Sequence, residues 1–108
     1  MKDRIVVIST VGSAEEGERI AAALVEERLV SCVNVVPGVV SFYRWKGEVQ
    51  EDAEALLILK TQRDRFEPLR DRILALHPYE VPEVLVLPVE HGHDPYLDWV
   101  REQVEAGP

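Results

Sequence analysis

The three histidines of this chain fall in two short loops, and their neighbours suggest two kinds of chemistry. His77-Pro78-Tyr79-Glu80-Val81-Pro82-Glu83 sets an imidazole, a phenol and carboxylates within seven residues, held by two prolines that restrict the backbone. Such a segment suits a binding site at a strand end. It equally suits a rigid helix-to-strand linker whose His77 caps the preceding helix, since helix C-termini favour His. His91-Gly92-His93-Asp94, beside Glu90, offers two imidazoles and a carboxylate in one loop, a ligand set for a divalent transition metal. Its plain alternative is a solvated loop in which Asp94 caps a helix.

Cys32 alternates with apolar residues and has no basic neighbour in sequence to lower its pKa, so it reads as a core residue. Alternation places Tyr43 and Trp45 on one strand face and Phe42 and Arg44 on the other. The aromatic pair fits a protein interface or ordinary cross-strand packing. Glu48, Glu51, Asp52 and Glu54 read as a solvated strand end. A glycine-rich phosphate loop, a zinc-protease motif and a Gly-x-Ser-x-Gly elbow are all missing from the sequence.

The elements that must position these groups follow from pattern. Ile5 to Ile8 is a β-branched run of the kind covered on both faces. Ser13 and Glu16 have capping-box spacing and open a helix predicted to reach about Leu29. Cys32–Val36 and Val39–Trp45 form one long strand interrupted at Pro37-Gly38, Lys46-Gly47 is a tight turn, and Glu48–Lys60 returns. A second helix ends at Leu76 before His77-Pro78. Its start is marked either by Asp64 and Glu67 or by Pro68. Val84–Val89 is the last strand, and Asp94-Pro95 opens a helix through Val104, ahead of a frayed tail of residues 105–108. Strand, helix, strand, strand, helix, strand and a C-terminal helix is the α+β, split βαβ order of a ferredoxin-like sheet.

A chain of 108 residues with 46% hydrophobic and 30% charged side chains suits one domain, residues 1–108. Its net charge of −8 disfavours nucleic acid and anionic membranes as partners and favours cations. The apolar run after Met1-Lys2-Asp3-Arg4 is too short for a signal peptide, and a single cysteine suits a reducing compartment, so a cytoplasmic location is expected. Nine Arg against three Lys, with single Asn, Met and Cys residues, points to a thermostable, heat-adapted protein or a GC-rich source.

Taken together, Ser31-Cys32-Val33-Asn34 with Pro37-Gly38, then Ser41, Tyr43, Trp45 and Gly47, resemble the CutA divalent-cation tolerance family. The likeness continues through Leu59-Lys60-Thr61, His77-Pro78-Tyr79 with Pro82-Glu83, and Leu87-Pro88 with Tyr96-Leu97-Asp98-Trp99. It covers nearly the whole chain in order. It implies a PII-like homotrimer, not an enzyme, that binds copper or other divalent metal ions, with Lys60, Tyr79 and Glu83 beside His77 as candidate site residues in clefts between subunits. In members credited with copper binding, a cysteine ends the first strand and a His-His pair precedes Pro-Tyr. This chain has Ser9 and Leu76 there, so only His77 carries over. With His91 and His93 it completes the candidate metal ligands. The alternative function is a PII-like small-molecule sensor or a platform for protein assembly. An acylphosphatase-type enzyme is disfavoured, because the loop Val11-Gly12-Ser13-Ala14-Glu15-Glu16 is acidic and carries no arginine.

Overall fold

The computed structural model describes residues 3–105. The predicted tail at residues 106–108 and the leading Met1-Lys2 lie outside the described residues. The elements are β1 (Arg4–Val11), α1 (Ala14–Glu26), β2 (Cys32–Trp45), β3 (Glu48–Gln62), α2 (Phe66–Leu76), β4 (Leu85–Pro88) and α3 (Asp94–Val104). The strands form one antiparallel sheet in the order β4-β1-β3-β2, the ferredoxin-like arrangement.

Local chemistry explains the element ends. Ser13 Oγ accepts from Glu16 N–H at 3.2 Å and starts α1. The helix stops at Glu26, short of Leu29, because Arg28 takes φ 59°. Arg28 N–H then bonds to the Val25 carbonyl, and Leu29 N–H to that of Leu24, a Schellman closure with arginine where glycine is usual. Lys46 and Gly47, both at positive φ, join Trp45 to Glu48 in a two-residue turn whose twist suits a hairpin. At α2, Arg63–Arg65 form a 3-10 turn and Arg65 is the cap residue, so Asp64 lies before the helix and Pro68 falls in its first turn. His93, not Asp94, occupies the cap position of α3, with Pro95 just inside.

Alternation in β1 is strict and separates the two faces of the sheet. Ile5, Val7, Ser9 and Val11 are buried under α1 and α2 with Leu57, Leu59, Leu69 and Ile73, while Val6 and Ile8 on the other face are only half-buried. The expectation that β1 is covered on both faces is therefore corrected. Gly17 lets α1 sit close on the sheet, since a Cβ there would lie 3.0 Å from the Leu57 side chain. Beneath the helices Ser9 is fully buried, and its Oγ has no hydrogen-bond partner.

The second face stays open over much of its area. Register sets Val36, Leu56, Ile58, Leu85 and Leu87 on it beside Ile8, and Val36, Leu85 and Leu87 are exposed. At one end α3 lies over Arg4, Val6 and Lys60, with Arg4 Nε donating to the Leu97 carbonyl at 3.0 Å. Cys32, opposite Lys60, is half-buried on this face and not in the core as its alternation suggested. At the other end the β2–β3 hairpin projects. Between Val36 and Val39 two residues of β2, Pro37 and Gly38, oppose one of β3. This bulge flips the parity of β2, so that Tyr43 and Trp45 join the open face and Phe42 and Arg44 leave it.

Candidate functional site

The hairpin end of the open face meets the 77–83 loop. His77 follows the last residue of α2 and is buried at 6% exposure. Its Nε2 lies 2.7 Å from the Thr10 carbonyl, and its Nδ1 accepts from Tyr79 N–H at 3.2 Å. A neutral imidazole donating through Nε2–H satisfies both contacts. Each ring nitrogen is thereby taken up inside the fold, and the imidazole acts as a bracket that sets Tyr79 over the end of β1. The Tyr79 ring packs against it with centroids 4.5 Å apart.

Tyr79 OH donates to Glu54 Oε2 at 2.6 Å, and Tyr43 OH donates to Asp52 Oδ2. Glu54 is only 8% exposed and is a bonded groove residue, whereas Glu48, Glu51 and Asp52 are exposed as a solvated strand end should be. Burial, the bond to Glu54 and the charges of Glu54 and Glu16 drive the Tyr79 phenol far above its ordinary pKa. The Tyr43 phenol is raised as well, chiefly by its bond to Asp52. Glu16 fulfils only half of its capping-box role. Its backbone N–H is capped, but its buried Oε1 is unpartnered and its charge is felt at Tyr79.

Two adjoining cavities share Tyr43, Tyr79 and Val81. One of about 340 Å³ is walled by these with Trp45 and Glu80, and one of about 320 Å³ adds Thr10, Ser41, Phe42, Glu54 and Glu83. Among the described residues no lysine or arginine lines either one. Sequence reasoning missed Asp52, Glu54 and Glu16. The hairpin register held a signal for the first, because a two-residue turn at Lys46-Gly47 makes Asp52 a diagonal neighbour of Tyr43.

The predicted site residues divide between the two ends of the sheet. Tyr79 and Glu83 border the groove. Lys60 lies six residues along β3 from Glu54, about 20 Å at the rise of an extended strand, and donates to Asn34 Oδ1 at 2.5 Å. His91 and His93 are exposed in the loop before α3, which is tied to β1 by Val89 N–H bonding to the Arg4 carbonyl. His77, bound at Thr10, is at the opposite end of β1. His91 Nε2 lies 3.8 Å from Glu90 Oε1. Among the described residues no three His, Cys, Asp or Glu side chains gather into a metal-holding cluster. Among the described residues no helix is long and apolar enough to cross a membrane.

An antiparallel β4-β1-β3-β2 sheet with two helices on one face and a long hairpin beside a groove on the other defines a ferredoxin-like, PII-like protein. The profile of the family described as CutA1 divalent ion tolerance protein matches residues 5–103, and the chain belongs to that family. It is 57% identical over 97 residues to the divalent-cation tolerance protein CutA of Thermus thermophilus, covering 90% of this chain and 94% of that protein. Human protein CutA is 46% identical over 97 residues, and the match spans 90% of this chain but 54% of the human one. The solved Thermus thermophilus structure superposes with a TM-score of 0.90 at 55% identity, covering 93% of this chain and 97% of that one. Rice CutA1 superposes with a TM-score of 0.93 at 43% identity, covering 97% and 96%.

Proposed function

We propose that this chain works, as a single domain, in a cytoplasmic homotrimer that serves the response to divalent metal ions by binding and not by catalysis. The observation that carries the trimer is the open apolar face. Val36, Leu85 and Leu87 are exposed beside half-buried Ile8, Leu56 and Ile58 on a sheet whose edge strand β2 runs for 14 residues. A patch and an edge of this kind favour association, and a closed three-fold ring would cover both. In such a ring Lys60 of one subunit can meet Tyr79 and Glu83 of the next, although one chain keeps them apart.

For the metal, the described residues of a single chain do not assemble a complete ligand set, so no resident ion is assigned. Copper or another divalent ion is instead taken up at the rim by His91 and His93 with Glu90, as imidazole and carboxylate donors allow. His77 serves by holding Tyr79, its nitrogens being engaged. Copper titration of metal-free protein by calorimetry tests this reading. Binding should weaken strongly in the His91→Ala/His93→Ala variant, and unchanged binding there would remove the histidine loop from the account. The alternative, a sensor of a small molecule, is favoured by the groove itself, whose aromatic and acidic walls adjoin in one concave surface.

A further inference from the structure

Two surfaces are left uncovered on the helix side of the sheet, and they lie at opposite edges. The first is the reverse of the hairpin. Along β3, Val49, Glu51 and Ala53 continue the row of buried Ala55 and Leu57, and their partners on β2 are Arg44, Phe42 and Val40. Because β1 ends at Val11, opposite Ala55, this stretch projects past the helix-covered core, and Phe42 is 67% exposed with Val40 and Val49 exposed beside it. The second surface is a cavity of about 480 Å³ at the start of α2, next to the edge strand β4. Ile5 and Val86 line it from the sheet, Phe66 and Pro68 from the helix, and its charged lining is Arg63, Asp64 and Glu67.

These surfaces match in chemistry. One offers an exposed phenylalanine and the other an apolar hollow. Phe42 shares its face with Arg44 and Glu51, and the cavity carries Asp64 and Glu67 with Arg63, so each charge on one surface has its opposite on the other. Arg44 gives an N–H to the Gly47 carbonyl at 3.2 Å, which leaves most of its fork for a carboxylate. Within one chain they cannot meet, because the cavity lies at the Ile5 end of β1 and the hairpin beyond Val11, roughly 20 Å along the strand.

We infer that Phe42 of each subunit inserts into the cavity at the start of α2 of the next subunit, with Arg44 paired there to Glu67. Joining the free edge of β2 to the free edge of the next subunit's β4 extends one sheet across the boundary, and a continuous sheet keeps every side chain on its own face. Phe42 then falls beside Val86 and Pro88 on the helix side, while Tyr43 and Trp45 fall beside Leu85 and Leu87 on the open side. The same joint carries the hairpin end, with Tyr79 and Glu83, toward Lys60, since Leu87 pairs with Val6 and Val6 with Lys60, two strand spacings or about 10 Å. This contact rests on the trimeric reading and specifies one anchor of it.

Light scattering coupled to gel filtration over a dilution series tests the contact on the full chain. Phe42→Asp should dissociate at a protein concentration roughly tenfold or more above that of the parent, as loss of a central aromatic anchor demands. Arg44→Glu should weaken assembly as well, and adding Glu67→Arg to it should restore most of the loss. Phe42, Arg44 and Glu67 are exposed in the single chain, so each variant should keep the fold, checked by circular dichroism. A trimeric parent whose Phe42→Asp variant dissociates no more readily would overturn the contact and leave the cavity to another occupant. Charge reversal at Arg44 that Glu67→Arg does nothing to restore would overturn the pairing. A parent of single-chain mass would instead overturn the trimeric reading itself, and this contact with it.

Discussion

Tyr79 OH donates to Glu54 Oε2 at 2.6 Å, and this bond fastens the loop after α2 to the stem of the hairpin. Removing it in Tyr79→Phe leaves a nearly buried carboxylate without its donor. The variant should lose about 1–2 kcal/mol of stability in urea denaturation, the range for a lost bond to a charged group that water can partly replace. Stability equal to the parent would show that the bond holds nothing in place.

The same phenol sets an alkaline limit. Its pKa is raised in the folded protein, while in the unfolded chain it titrates near ~10. Below that pH both states are protonated and the contribution is fully present. It falls as pH climbs above 10 toward the higher folded value, because the unfolded state releases its proton first. Denaturation midpoints should therefore decline above pH 10 in the parent, and less steeply in Tyr79→Phe.

Ser9 offers a prediction of opposite sign. Its buried Oγ makes no hydrogen bond, so Ser9→Ala removes an unsatisfied polar atom at the expense of one small void. The substitution should raise stability by about 1 kcal/mol, read as a higher melting temperature. A clear loss would indicate that the hydroxyl is satisfied in solution.

Much of the frame was legible in the sequence. Ser13, Lys46-Gly47 and Pro95 carry the physical cause of the structure they start, a side-chain acceptor, a positive-φ turn and a preset φ. Arg28 was not legible, because a left-handed closure is signalled by glycine and here rests on the contacts of Leu29. Nor was the Glu54–Tyr79 pair, which joins residues 25 apart through tertiary packing and leaves no periodic trace. Pro37-Gly38 announced an interruption, but only the register tells how many residues of β3 oppose it and hence which aromatics face the open side.

That bulge yields a further test. Its register places Tyr43 and Trp45 on the open face, so the double substitution Tyr43→Glu/Trp45→Glu puts charge on that face without altering the pairing. This double variant should still fold its helix-covered core but assemble less well, shown by concentration-dependent mass on gel filtration. Assembly identical to the parent would mean that the hairpin aromatics take no part in it.

The trimer itself is the central claim, because the open apolar face, the long hairpin and the separated positions of Lys60 and Tyr79 are all explained by it. Light scattering coupled to gel filtration measures it directly. The account predicts a mass three times that of the 12.2 kDa chain, held on dilution through the micromolar range. A single-chain mass that persists at high concentration would contradict it.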